Sequence, residues 1–286
     1  MRFATRLAGA LALALAPISH ATAQTPGKTL ALDFSTTVIV QGSPDTGLIT
    51  GHAIGTADKM RVDVKMAGSG GSVGMLSSQG TVSMIVTDSG KTITYLDSKN
   101  NQYLTVKPTE MIAQAQQMGG MKMDFSGTEA SVDNLGAGPV ILGHPTAHYR
   151  VGTGMTMKIS AMGQEQTVKI GSTTDSYYAT DLNADLNPFA SLSGGDMANM
   201  FGTTNKEFAT KMKAAQAKLP KGTPLRAIST STLSAQGQTK VTNSKAEVTA
   251  IQWVPSDPKA FEIPATYTAL KVPVLTGTKE GSIPPK

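Results

Sequence analysis

The chain has 286 residues, no Cys, 5% aromatic residues, and 25 basic against 20 acidic residues for a formal net charge of +5 at pH 7. With no Cys there is no disulfide to staple a small scaffold, so an apolar core must hold the fold. The Lys and Arg residues are scattered, without a basic run or basic–aromatic interleaving, which excludes the usual footprint of a nucleic-acid binder.

Residues 1–23 read as a secretory signal peptide. Arg2 and Arg6 form a basic flank, an apolar run of Leu, Ala and Gly follows to Leu15, and Ala21-Thr22-Ala23 is a small-residue cleavage site. The run is too short for a permanent membrane anchor. Cleavage after Ala23 predicts a soluble periplasmic product with a mild positive excess, monomeric and without a transmembrane segment. Residues 24–270 read as a single antiparallel β-rich domain, and residues 271–286 as a flexible Pro/Gly tail.

Alternation of apolar and polar residues marks strands in order along the domain. Residues 29–40 place Leu30, Leu32, Phe34, Val38 and Val40 on one face. Residues 48–56 and 59–67 form a hairpin, in which Met60, Val62, Val64 and Met66 alternate with Arg61, Asp63 and Lys65. A Gly/Ser-rich loop spans 68–80. Three short strands follow at 81–88, 92–96 and 102–107, then a short helix at 110–118 and a strand at 121–132.

The organising stretch is 140–159, VILGHPTAHYRVGTGMTMKI. It reads as a strand end, a Gly-His-Pro turn, and a long strand near the middle of the sheet. Tyr149, Val151, Met155, Met157 and Ile159 share one face; His148, Arg150, Lys158 and Ser160 share the other. A strand at 166–180 precedes a helical insertion at about 187–222. In it, Thr204 and Glu207 have capping-box spacing, and Phe208, Met212, Ala215 and Leu219 form a stripe at helical spacing. That predicts an amphipathic helix of about four turns. Strands at 225–235 and 239–254 make a last hairpin, and 260–269 closes the fold. The fold class is mainly β (α+β): ten or eleven strands in one large curved antiparallel sheet, a half-barrel with helices on its concave face.

Two segments, I-L-G-H-P-T-A-H-Y-R-V (141–151) and F-E-I-P-A-T-Y (261–267), make the chain resemble a family of bacterial exported proteins built on a domain of unknown function. That family is similar to the LolA/LolB lipoprotein-carrier fold. The resemblance implies a half-barrel sheet that holds acyl chains under a helical lid. It carries no functional residues over to this chain.

Met111, Met118, Met121 and Met123 are soft thioethers that could hold Cu(I), or they are ordinary adaptable apolar lining. His144 and His148 would share a side of a strand, but no nearby carboxylate completes a zinc set. Ser72 lies in a formal G-x-S-x-G whose strand–turn–helix context is missing. Asp181, Asp185 and Asp196 do not form a calcium loop.

These readings predict a binding or carrier protein, not an enzyme, with no cofactor and no metal. Its ligand would be an acyl chain, a lipid or a lipoprotein, lined by Met121, Met123, Phe125, Met155, Met157, Phe208 and Met212. The competing expectation is an envelope interaction module whose sheet face is a filled core.

Overall fold

The computed structural model describes residues 28–42, 46–56, 58–67, 81–108, 110, 121–161, 164–184, 187–188 and 206–270. Of the expected helix at 110–118 only Glu110 is described, and it is helical; residues 111–118 with Met111 and Met118, the Gly/Ser-rich loop with Ser72, Asp185, Asp196 and the Thr204 cap lie outside these residues.

Twelve strands form one sheet. They are β1 (Lys28–Val40), β2 (Thr46–Gly55), β3 (Met60–Ala67), β4 (Thr81–Thr87), β5 (Thr92–Asp97) and β6 (Gln102–Val106), then β7 (Met121–Ala137), β8 (Thr146–Ala161), β9 (Gln164–Ala179), β10 (Thr223–Ala235), β11 (Gln238–Pro255) and β12 (Thr268–Ala269). Their order is β12-β6-β5-β4-β3-β2-β1-β11-β10-β9-β8-β7. Every pairing is antiparallel except β12 on β6. The sheet is open, with β12 and β7 as its two edges. One α-helix, α1 (Lys206–Gln216), lies among the described residues. No helix among them is long and apolar enough to cross a membrane.

The period-two patterns translate into register. Leu104, Tyr95, Met84, Val62, Ala53, Leu32 and Ile251 stand on one rung across seven strands. Strand partners share a face, so this rung defines the apolar face. Leu30, Leu32, Ala53, Met60, Val62, Val86, Leu225 and Val248 are buried in one cluster there. Burying each large side chain contributes roughly 1.5–3 kcal/mol before entropy is counted. The cluster includes Leu182 from the segment after β9. Pro188 in that segment comes so close to Gly55 that no Cβ fits between them. The apolar face over β1–β4 is therefore filled core.

Three expectations change. The long strand β8 is second from an edge, and β1 takes the middle because it pairs with the last long strand, β11. Such long-range pairing has no local signal in the sequence. The closing segment is not a strand along its length. It makes a 3-10 turn at Pro258–Phe261 and then only the two-residue β12. This strap lies beside β3, where the Arg61 guanidinium donates to the Ala260 carbonyl at 3.3 Å. Finally, α1 ends at Gln216, ahead of Leu219. Its α-helical bonds give way to tighter ones at Lys218 and Leu219 ahead of Pro220.

Candidate functional site

Beyond the filled core, the apolar face continues onto β7, β8 and β9. Phe125 stands opposite Met157, and Met157 opposite Val168. Met123 pairs with Ile159, and Met155 with Ile170. Phe125, Met155, Met157 and Ile159 are only partly buried, and Ile170 is 36% exposed. The backbones of Met121 and Met123 belong to β7. Over β1–β4 the same face is more fully covered, with Leu30, Leu32, Ala53, Met60, Val62 and Val86 buried and Val64 and Met84 partly so.

Helix α1 packs along β7. The Lys211 ammonium donates to the Thr128 carbonyl at 2.7 Å and pairs with Glu207 one turn earlier at 2.7 Å. The Lys211 hydrogen bond holds the Glu207 carboxyl below its ordinary range. Leu219, just past the helix, packs with Val151 and Tyr178. Phe208, Met212, Ala215 and Leu219 are all buried. Of the predicted stripe, Phe208, Met212 and Ala215 lie on α1 and Leu219 just past it; Phe208 and Met212 are covered, whereas Phe125, Met155 and Met157 are part-open.

Between strip and core, the same face is floored by small side chains. Ser176–Ala227–Ala246 and Thr174–Ser229–Ser244 are adjacent rungs over β9, β10 and β11. Thr174 and Ser229 share a buried hydroxyl hydrogen bond of 2.8 Å. At the hairpin ends a depression of about 880 Å³ opens. It is lined by Ile159, Gln164, Gln166, Lys169, Ala235 and Gly237 among others. Ile159 belongs to both the strip and this depression.

The opposite face carries a polar network. Arg150 grips Asp175 with two hydrogen bonds of 2.9 Å, and His148 Nε2 lies 3.3 Å from the same carboxylate. The Arg150 hydrogen bonds hold the Asp175 carboxyl below its ordinary range against part-burial, and raise the guanidinium in turn. The Tyr177 ring stacks on His148 at 4.4 Å and has the Arg226 guanidinium 5.7 Å from its centroid. Arg226 and Lys245 both bind Glu247. Part-burial works to raise the Glu247 carboxyl, but its hydrogen bonds to Lys245 and Arg226 leave it lowered. Arg150, Arg226 and Lys245 each end on a carboxylate, the last two sharing Glu247, so this group staples β8–β11 together.

His144 and His148 do not converge. His144 pairs with Asp181 at 2.9 Å and His52 with Asp33 at 2.6 Å. No group of three or more His, Cys, Asp or Glu among the described residues could hold a metal ion. Sequence reasoning missed the carboxylate partners because they come from other segments, Asp33 and Asp175 from neighbouring strands and Asp181 from the turn after β9. Only the register supplies them, although Asp175 already occupies the polar face of its own strand.

No family model matches the chain, and no curated protein matches it. Among solved structures, that of PNGF-II is similar over 85% of this chain and 31% of that one, at 10% identity and a TM-score of 0.30. The chain therefore spans under a third of that protein's length. A likeness of that size carries no argument about fold or activity.

Proposed function

We propose that this is an exported, soluble periplasmic protein that binds or carries an acyl chain on the strip of β7–β9, in the manner of a half-barrel carrier. The observation that carries the reading is the position of Ile159. It ends the run Met155–Met157–Ile159 and lines the depression beside it. Four residue steps along β8 span about 13 Å, enough to lay out a medium-length chain. The depression falls in the usual size range of ligand sites, about 300–1,000 Å³. Thioethers suit an apolar ligand of variable shape, because Met is unbranched and adapts. A chain of ten CH₂ groups would gain about 8 kcal/mol on burial, before ordering costs. Phe208 and Met212 then serve to seat α1 as the wall of the site.

The test is displacement of a fluorescent fatty acid from the purified protein. Met155→Asp and Met157→Asp variants with an unchanged circular dichroism spectrum should lose binding by tenfold or more. Unchanged affinity in both would sink the assignment of this strip.

A further inference from the structure

The connection between β7 and β8 is an apolar tip with no part in the acyl-binding strip. It contains no Asp, Glu, Lys or Arg between Asp133 and Arg150. Its large side chains face water: Val140 is 68% exposed, Leu142 46% and Leu135 44%. Between the first two, Ile141 is 6% exposed and anchors in the main cluster with Leu182. Burying the middle residue turns its two neighbours outward.

The tip is preformed. Ile141 and His144 exchange both backbone hydrogen bonds, at 3.0 and 2.9 Å. Gly138 N–H donates to the Thr146 carbonyl, and the Thr146 hydroxyl donates to the Pro139 carbonyl. Pro139 and Pro145 bring no N–H at all. His144 is tied to Asp181, which is the nearest charged side chain bonded to the turn.

At the apex the sequence makes a choice that the fold does not require. Leu142 sits at φ 51 and Gly143 at φ 84. Such two-residue turns favour Asn-Gly or Asp-Gly, because other L-residues are strained at positive φ. A Leu there costs stability and is left in solvent.

We infer that the 138–145 tip is a membrane-contact element that dips Val140 and Leu142 into the interfacial layer of a lipid surface. A segment entering that layer does best without charge and with its backbone paired: the tip has no Asp, Glu, Lys or Arg of its own, and its Gly138, Ile141 and His144 N–H groups are bonded within it. The absence of Lys and Arg sets the class of surface. The contact works by apolar insertion rather than by attraction to anionic headgroups, so it tolerates salt. This inference stands apart from the acyl-binding reading.

The experiment is flotation of the mature protein with phosphatidylcholine vesicles at low and high salt. Wild type should co-float at both, and adding anionic lipid should not increase it. Leu142→Asn, which relieves the turn and keeps the fold, should reduce the vesicle-bound fraction several-fold. Met157→Asp should float like wild type. The inference is overturned if wild type does not float, if flotation needs anionic lipid and vanishes with salt, or if Leu142→Asn floats undiminished.

Discussion

Pro188 lies directly over Gly55: a Cβ on Gly55 would stand 2.5 Å from the Pro188 Cα and 2.9 Å from its carbonyl oxygen. The obstacle is backbone, which cannot rotate away as a side-chain tip could. Gly55→Ala should therefore lift the 180–188 segment off the apolar face. Overpacking of this kind costs typically about 1–3 kcal/mol. Urea unfolding should show the midpoint falling with little change in slope; an unchanged midpoint would mean the segment is not seated there.

The Arg150–Asp175–His148 group predicts a specific acid response. The Asp175 carboxyl is lowered from its ordinary 3.8 by the Arg150 hydrogen bonds. A depressed carboxyl adds stability that is complete above the unfolded value and is lost as pH falls through the lower folded value. Wild type should thus lose stability as pH drops below about 4. Asp175→Asn should be less stable at pH 7 and flatter in that acid window. Equal slopes for the two proteins, from thermal melts at stepped pH, would contradict this account of the staple.

How far the sequence disclosed the fold can be judged from β8. Its alternation gives the two faces correctly, with Tyr149, Val151, Met155, Met157 and Ile159 opposite His148, Arg150, Lys158 and Ser160, as the register requires. The helical stripe of Phe208, Met212, Ala215 and Leu219 is equally local, and all four are buried. What alternation does not encode is which strand lies next to which. The central place of β1 and the seating of Pro188 on Gly55 join distant segments, and Asp175 meets Arg150 only through the register of the β8–β9 hairpin. The candidate strip was legible in the same degree. Periodicity nominated Met155 and Met157, but only strand order could separate the half-open β7–β9 region from the β1–β4 region that holds most of the buried cluster.

The C-terminal strap guards the other edge of the sheet. Thr268 N–H donates to the Asn101 carbonyl, and Leu270 N–H to that of Tyr103. An uncovered strand edge is a template for pairing with other chains. Truncation after Pro255 should expose β6, remove the Arg61–Ala260 bond and make the protein self-associate. Sedimentation velocity should show species larger than the full-length protein forms. A truncated protein that sediments as full length does would show that the strap is dispensable at this edge.

Relief of the turn at Leu142 has a stability consequence of its own. Asn tolerates positive φ far better than Leu, so Leu142→Asn should raise the unfolding free energy, by about 1 kcal/mol on the scale of left-handed strain. A lower melting temperature for this variant would show that Leu142 makes a packing contribution its exposure does not reveal.

The central claim is that the strip on β7–β9 holds an acyl chain, and native mass spectrometry of residues 24–286, exported to a periplasm and gently purified, tests it most directly. The expected result is a stoichiometric adduct of fatty-acyl or phospholipid mass that solvent extraction releases and that Met157→Asp lacks. A protein that emerges free of adduct, and stays so after exposure to fatty acid and phospholipid, would contradict it and favour an interaction module with a filled face.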